Sequence, residues 1–240
     1  MNPFAFLSAL GRRRPQLSDE QRRRLQRLPL APQLDSRPLQ TQRFVVLDLE
    51  TTGLNLNRDI VLSIGAVIIE DGAIDFGRQF ECTLQRQLKS VTESVLIHGI
   101  APSALARGSE PTEALLAFME FAGDCVFLAY HAPFDQRMLT RALKDELGYR
   151  LQHPFFDIAD LAPMLCPEAF VQQGGLDRWI DFFKLDMPQR HHAAADALAT
   201  AEIALILFNR ARRMGIDNVH ELSQRLGYWH RSRAAARHSL

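Results

Sequence analysis

The chain has 240 residues, of which 47% are hydrophobic and 23% charged, and its formal net charge is zero. That length is enough for one domain with a sizeable core and short extensions. The composition is ordinary for a soluble globular protein, and no apolar run approaches the roughly 18–20 residues that a transmembrane helix needs. We therefore expect no association with a membrane.

The N-terminus and the cysteines indicate the compartment. In residues 1–15 the arginines follow a short apolar run, whereas a secretory signal carries its positive charge first. The three cysteines, Cys82, Cys125 and Cys166, form no C-x-x-C pair and leave at least one thiol unpaired. These features predict reduced thiols and a cytoplasmic protein.

Charge is unevenly distributed along the chain. Residues 1–43 hold nine arginines against three acidic residues, whereas residues 44–228 hold 16 basic and 25 acidic residues, and the tail from Trp229 adds three arginines. A basic arm on an acidic body would attract a polyanion to a site that itself lacks positive charge. The alternative, a solvated and partly disordered arm, stays open.

Three segments are predicted along the chain. Residues 1–42 form a basic N-terminal extension and linker, in which residues 19–28 read as a short helix and three prolines follow. Residues 43–215 form the folded domain, which begins with an apolar, β-branched strand at Phe44. Residues 216–240 are a C-terminal extension.

Within the domain, three strands precede an alternation of helices and strands. The second strand covers IVLSIGAVII, and Asp71-Gly72 predicts a hairpin turn into the third. Later elements are a helix over PTEALLAFMEFAG, a strand over VFLAY, a helix from Phe134 to Leu147, a strand over PFFDI, a helix over LDRWIDFFKL and a long helix from about Ala193 to Met214. This order predicts an α/β domain of the ribonuclease H-like fold, a mixed five-stranded sheet flanked by helices.

Two acidic residues end the first strand. Side chains at i and i+2 of a strand share a face, so Asp48 and Glu50 project together. Asp48 interrupts a buried strand, where an unpaired carboxylate is costly, and the strand has no Lys or Arg to balance it. A metal ion such as Mg²⁺, which prefers carboxylate and water oxygens, is one answer. An aspartate that caps the turn after the strand is the other.

Asp135 and Asp196 each lie near the start of a predicted helix. Taken alone, each is better explained by the preference of acidic residues for the first turn of a helix. His191 lies five residues before Asp196, which on a continuous helix would place it far around the axis. The two side chains can converge only if His191 lies in the preceding loop or in a distorted first turn.

Together these residues form three motifs that resemble those of the DEDDh 3′→5′ exonucleases, the family of the proofreading (epsilon) subunit of bacterial DNA polymerase III. The D-x-E-T-T-G motif begins at Asp48, the F-D motif is Phe134-Asp135, and the H-x-A-x-x-D-A motif begins at His191. An I-H-G-I segment at residues 97–100 matches as well. The resemblance extends from Phe44 to about Met214.

The resemblance implies a role for each matching residue. Two Mg²⁺ or Mn²⁺ ions would be held by Asp48, Glu50, Asp135 and Asp196, and would stabilise the attacking and leaving oxygens at phosphorus. Glu50 would also count as catalytic, and His191 would be the general base, for which an imidazole pKa near 6.5 is suited. The terminal nucleotide would contact Thr51, Thr52, Gly53, Leu54, His98 and Phe134.

The implied reaction is the release of nucleoside 5′-monophosphates from the 3′ end of single-stranded DNA, in proofreading or repair. RNA or oligoribonucleotides are the alternative substrate, because nothing in the motifs recognises a 2′-hydroxyl. A non-catalytic binding or polymerase-adaptor module would normally have lost one of the four carboxylates or the histidine base. All five of these residues are present in this sequence. Stand-alone action and membership of a DNA polymerase complex both stay open.

Two departures from the family pattern bear on these roles. His131 stands where many proofreading members have an amide, which affects local contacts and substrate preference rather than the metal ligand Asp135. His191 and His192 also offer two candidate bases. The spacing to Asp196 favours His191, and His192 is expected to be exposed.

Overall fold

The first strand lies at the centre of the sheet. A computed structural model describes residues 16–87, 98–169, 175–187 and 190–238. β1 (Phe44–Thr51) pairs antiparallel with β2 (Val61–Glu70), and β2 pairs antiparallel with β3 (Ala73–Thr83). On the other side, β4 (Val126–Ala129) pairs parallel with β1, and β5 (Phe155–Asp157) pairs parallel with β4. The order β3-β2-β1-β4-β5 confirms the predicted mixed five-stranded sheet.

Local sequence explains the turn between the second and third strands. Asp71 and Gly72 both have positive φ, 52° and 72°. Such values are required at both central positions of the tight hairpin turn that twists with its strands, and Asp-Gly is a preferred pair there. The hairpin predicted from this dipeptide is therefore present.

Helices cover both faces of the sheet. They are α1 (Asp19–Gln26), α2 (Pro102–Ala106), α3 (Pro111–Ala122), α4 (Ala132–Leu147), α5 (Ile158–Leu165), α6 (Leu176–Phe183), α7 (Ala193–Arg213) and α8 (Val219–His238). α4 begins two residues before the predicted start, because Pro133 is accommodated in its first turn, where no backbone N–H is needed. In the described part of the chain, no helix is both long enough and apolar enough to cross a bilayer.

The alternation of side chains along β1 divides the core into two clusters. Val45, Leu47 and Leu49 belong to the cluster that contains α3 and α4, whereas Phe44 and Val46 belong to the cluster that contains α5, α6 and α7. Because the period of a strand is two residues, the acidic side chains at the even positions point to the α7 face. The face of the sheet that carries Asp48 and Glu50 is thus determined by which apolar residues of β1 are buried in each cluster.

Gly65 on β2 allows α7 to begin close to the sheet. Gly65 pairs with Asp48 across the β1–β2 ladder. A Cβ atom built on Gly65 would lie 2.1 Å from the carbonyl carbon of Ala193 and 2.1 Å from the backbone nitrogen of Ala194. Only a glycine at this position lets the first turn of α7 approach the strand that carries Asp48.

The segments on either side of the predicted domain pack against it where the structure describes them. Arg24 on α1 forms ion pairs with Glu113 and Glu120 on α3, at 2.5 and 2.7 Å. Leu39 is buried in the α7 cluster, and its backbone N–H donates a 2.6 Å hydrogen bond to the carbonyl of Asp217. The boundaries at residues 42 and 215 remain predictions, but described residues beyond both of them contribute to the core.

Candidate active site

Three of the four predicted carboxylates meet at the carboxyl end of β1. Asp48, Glu50 and Asp196 each offer an oxygen atom, and these atoms lie within 4.8 Å of one another. The first two come from the α7 face of β1, and Asp196 comes from the first turn of α7. A group of this size and chemistry is able to share one or more hard cations.

The fourth carboxylate, Asp135, lies beside this group but outside it. It is 4% exposed, in the first turn of α4. Burial and then the charge of Asp48 raise its pKa, and a hydrogen bond from the backbone of Leu49 lowers it. Because α4 packs on the opposite face of the sheet from α7, Asp135 reaches Asp48 from the other side of β1.

The carboxylates are short of positive charge. Burial, followed by the charges of Glu50 and Asp196, raises the pKa of Asp48 well above its usual range. Burial, followed by the charge of Asp196, raises the pKa of Glu50 to about 7. Carboxyl groups that disfavour ionisation in this way are stabilised as carboxylates when a cation binds among them.

Arg190 is a positively charged neighbour that the sequence analysis missed. Its guanidinium forms an ion pair with Asp196, and its Nε lies 2.5 Å from Asp177 Oδ1 at the start of α6. The same charge lowers the pKa of Asp48 and of Glu50, although less than burial raises them. Arg190 directly precedes His191 in the chain, but no local pattern distinguishes it from an exposed loop arginine.

The two adjacent histidines lie in different environments. His191 is exposed, has a positive φ of 59° and donates its backbone N–H to Asp196 Oδ2 at 3.1 Å. It precedes α7, whose N-cap is His192. The Nε2 atom of His192 lies 3.1 Å from Glu81 Oε1 on β3. His192 is thus half-buried in contact with Glu81 rather than fully exposed, whereas His191 is exposed and contacts Asp196 through its backbone N–H.

The loop after β1 is organised by Asp59, a second residue that the sequence analysis missed. Thr52 donates its hydroxyl to Asp59 Oδ1 at 3.1 Å, and the Asn55 N–H donates to Asp59 Oδ2 at 2.8 Å. A Cβ atom on Gly53 would lie 2.6 Å from Asp59 Oδ2. The space left by the missing side chain of Gly53 is therefore filled by this carboxylate. Nothing in the polar turn around Asp59 distinguished it from a capping residue.

The remaining predicted substrate residues border this loop and the motif helices. Thr51 is buried and donates its hydroxyl to the carbonyl of Gly53 at 2.9 Å. Leu54 is 83% exposed, which is unusual for a leucine and leaves its side chain available to a ligand. Phe134 is half-buried against the α4 cluster.

His98 combines burial with an unsatisfied nitrogen. Its Nδ1 accepts the Ile100 N–H at 3.2 Å, and burial lowers its pKa. Its Nε2 has no hydrogen-bond partner among the described residues. A buried polar atom of this kind usually serves either a ligand or an unseen water.

The donor set fits a divalent cation. All the available ligand atoms are carboxylate oxygens, which Mg²⁺ and Mn²⁺ prefer over the nitrogen and sulfur ligands favoured by softer metals. The three cysteines carry no disulfide, and none belongs to the carboxylate group.

Comparison with known proteins supports this interpretation. The profile of the Exonuclease family matches residues 45–204. DNA polymerase III PolC-type from Caldanaerobacter subterraneus subsp. tengcongensis is 31% identical over 180 residues, which are 75% of this chain and 12% of the polymerase. The corresponding polymerase of Bacillus subtilis is 28% identical over 201 residues, or 83% of this chain and 14% of the polymerase. The chain thus spans a small part of these relatives.

Among solved structures, E. coli exonuclease I in complex with a dT13 oligonucleotide aligns with a TM-score of 0.60 at 18% identity. The alignment covers 72% of this chain and 42% of exonuclease I. This likeness confirms the predicted ribonuclease H-like exonuclease fold.

The fold and the carboxylate group define a nuclease of the α/β class, and the chain belongs to the Exonuclease family. Within that family its sequence is similar to part of the PolC-type DNA polymerase III of several bacteria.

Proposed function

We propose that this protein shortens single-stranded DNA from its 3′ end, one nucleoside 5′-monophosphate at a time, by two-metal-ion hydrolysis with a histidine base. The observation that carries the proposal is the meeting of Asp48, Glu50 and Asp196 within 4.8 Å, with Asp135 beside them and His191 at the same helix start. We place this activity in the cytoplasm.

In this proposal the four carboxylates hold two Mg²⁺ or Mn²⁺ ions. Once bound, such ions supply the positive charge that stabilises the attacking and leaving oxygens during an in-line displacement at phosphorus. Asp48 on β1 and Asp196 on α7 act as metal ligands, and Asp135 on α4 is the fourth carboxylate of the set. Glu50 both holds a cation and orients the attacking water.

His191 acts as the general base. It takes a proton from the attacking water as the water oxygen bonds to phosphorus and the bond between phosphorus and the 3′ oxygen of the preceding nucleotide breaks; that oxygen takes up a proton from solvent and becomes the new 3′ hydroxyl. Its position in a loop before α7, with only its backbone bonded to Asp196, leaves the ring able to move over the site. His192 is a poorer candidate because its ring already contacts Glu81.

The loop after β1 receives the terminal nucleotide. The exposed Leu54 offers an apolar surface for the base, and Phe134 offers a second one. The hydroxyls of Thr51 and Thr52 are occupied by the loop itself, so these residues act through backbone contacts. The Nε2 of His98, which is buried and has no partner among the described residues, hydrogen-bonds the terminal nucleotide in this proposal.

DNA is preferred over RNA in this proposal. The relatives with similar sequences are DNA polymerases by name, and the structural neighbour was solved with a deoxyoligonucleotide. The same relatives suggest that the protein works beside a DNA polymerase, as proofreading or repair requires.

The test is a time course with 5′-labelled DNA and RNA strands of one sequence, in Mg²⁺, Mn²⁺ or EDTA. We expect a ladder that shortens from the 3′ end, that requires the metal and that forms faster on DNA. Equal rates on RNA would overturn the substrate assignment. Intact strands in the presence of folded, metal-saturated protein would overturn the catalytic proposal in favour of a binding role.

A further inference from the structure

The end of α8 is basic and aromatic, and the proposed chemistry does not use it. From Leu222 to Leu240 the chain contains four arginines and no acidic residue. The positive charge of this segment contrasts with the net negative charge of the body of the protein. We call Tyr228, Trp229, Arg231 and Arg233 the α8 strip.

The strip consists of two ring–cation pairs. The guanidinium of Arg231 lies 4.6 Å from the ring centroid of Tyr228, and that of Arg233 lies 4.6 Å from the ring of Trp229. Trp229 is partly buried against the α7 cluster, whereas Tyr228 is 63% exposed. Neither arginine forms an ion pair with a carboxylate in the described parts of the chain. Among the described residues no carboxylate therefore competes for either guanidinium; Arg231 is exposed and Arg233 is half-buried.

The strip lies toward the same end of the sheet as the carboxylates. His230, within the strip segment, is bonded to Asp160 in the first turn of α5, with 3.0 Å between Nε2 and Oδ2. α5 begins where β5 ends, and β5 runs parallel to β4 and β1. Its N-cap, Asp157, also accepts the backbone N–H of His131 at 2.9 Å, and His131 is the N-cap of α4.

This chain of contacts connects the strip to the active site. The first turn of α4 carries Asp135, so the path from that carboxylate to His230 crosses only the start of α4 and the start of α5. A strand whose 3′ end lies among the carboxylates would pass the strip if its earlier nucleotides followed the β5 side of the sheet.

We propose that the α8 strip binds the single-stranded nucleic acid upstream of its 3′ end, and this inference rests on the proposed function. Arginines neutralise phosphates, and exposed rings stack bases without regard to sequence, which is the combination that single-strand binding requires. An acidic protein segment would use the arginines but not the exposed face of Tyr228. The charge distribution also favours the strip. The acidic body of the protein repels a polyanion, whereas the basic strip attracts one.

The experiment compares two double variants with the same change in net charge. Arg231→Gln with Arg233→Gln removes the cations of the strip. Arg150→Gln with Arg213→Gln removes two exposed arginines that follow α4 and end α7, at the opposite end of the sheet. Tyr228→Ala is a third variant that leaves the charge unchanged.

Binding of fluorescent oligothymidylate of about 20 nucleotides, longer than the usual single-strand site, is measured by anisotropy in EDTA across a salt series. We expect the strip variant to bind about 10-fold more weakly at low salt, with a salt slope reduced by about 1.4, and the control to match the wild type. Tyr228→Ala should weaken binding about 5-fold at an unchanged slope. All three variants should hydrolyse a chromogenic ester of thymidine 5′-monophosphate at the wild-type rate.

Equal binding by the strip variant and the control would overturn the inference, and capture of an acidic protein would then be the remaining use of the arginines. Loss of ester hydrolysis in the strip variant would also overturn it, since that loss indicates damage to the site. If the wild-type protein binds through the strip but shortens no strand, the strip stands and the proposed function fails. If it shortens strands and the variants bind normally, the reverse holds.

Discussion

Asp48 shows what a single residue contributes to this protein. Its carboxyl group is placed in a core strand, beside two other carboxylates, in an environment that raises its pKa. Such a position lowers the stability of the metal-free protein, and a bound cation would offset that cost. The Asp48 carboxylate therefore both lowers the stability of the metal-free protein and serves as a ligand in the proposed function.

Replacing Asp48 with alanine should abolish hydrolysis without unfolding the protein. We expect the rate to fall at least about 10³-fold, because charge stabilisation by a bound metal contributes several kcal/mol to the transition state. The Tm in EDTA should be equal or higher, since a source of repulsion has been removed. Asp181→Ala, an exposed acid on α6, is the control. Wild-type turnover by Asp48→Ala would contradict the metal assignment.

His191→Ala and His192→Ala form a matched pair of adjacent histidines. We expect the first to lower the rate by about 10²–10⁴-fold, the usual contribution of a general base, and the second to leave the rate within a few fold. The measurement is kcat on the same labelled DNA strand. If His192→Ala is the variant that loses activity, the base has been assigned to the wrong residue.

His153 predicts how stability depends on pH. The imidazole is buried, its Nε2 lies 2.8 Å from the Gly123 carbonyl, and burial lowers its pKa. Because the unfolded state then binds a proton more readily, the stability contributed by the neutral imidazole is fully present above about pH 6.5 and is lost as the pH falls from there through the lowered pKa of the folded state.

Urea unfolding at a series of pH values between about 7.5 and 5 tests this effect. His153→Gln should flatten the pH dependence of the unfolding free energy, whatever its stability at neutral pH. His220→Gln, which alters an exposed histidine, should not. An unchanged slope in His153→Gln would contradict the assignment.

At the scale of elements, the site depends on how closely α7 approaches β2. Asp196 meets Asp48 because the first turn of α7 lies directly against Gly65. The contact between the backbone of α7 and Gly65 therefore brings the three carboxylates together. The carboxylate side chains do not by themselves position α7.

Gly65→Ala should separate the carboxylates. Its Cβ would overlap the backbone at Ala193 and Ala194, so the start of α7 must move, and a displacement of about 1 Å at an active site can cost about 10²-fold in rate. We also expect weaker Mn²⁺ binding by titration calorimetry. Gly175→Ala, where the added atom meets open space, is the control. Normal kcat and normal metal affinity in Gly65→Ala would exclude this role.

At the scale of the whole molecule, the segments outside the family match contribute to stability. α1 is attached to α3 by the ion pairs of Arg24, and the turn at Leu39–Thr41 is bonded to the loop before α8. Arg24 is thus already paired within the protein. The polyanion-binding role predicted for the basic arm therefore concerns only those arginines of the arm that are not already in such ion pairs.

Two leucines of the linker test this contribution. Leu39 is 2% exposed and Leu30 is 88% exposed. Leu39→Ala should lower the free energy of unfolding by about 2–5 kcal/mol, the cost of emptying a core position, whereas Leu30→Ala should change it by about 0.5 kcal/mol or less. Urea unfolding of both variants in parallel gives the comparison. Equal stability of the two variants would mean that the linker does not belong to the core.

The sequence by itself determined the features that depend on neighbours along the chain. The two-residue period placed Asp48 and Glu50 on one face, the Asp-Gly pair predicted the hairpin, and the resemblance of the three motifs to a known family indicated the Exonuclease family. These predictions succeeded because backbone geometry and turn chemistry are local properties.

Only the tertiary structure decided which distant residues meet. The contact of Gly65 with Ala193, the ion pair of Arg190 with Asp177, and the position of Asp135 on the far side of β1 all join segments that are separate in the chain. No local period encodes such contacts, because they arise when whole elements pack to bury apolar surface. The sequence therefore predicted the kinds of residue at the site, and packing decided their arrangement.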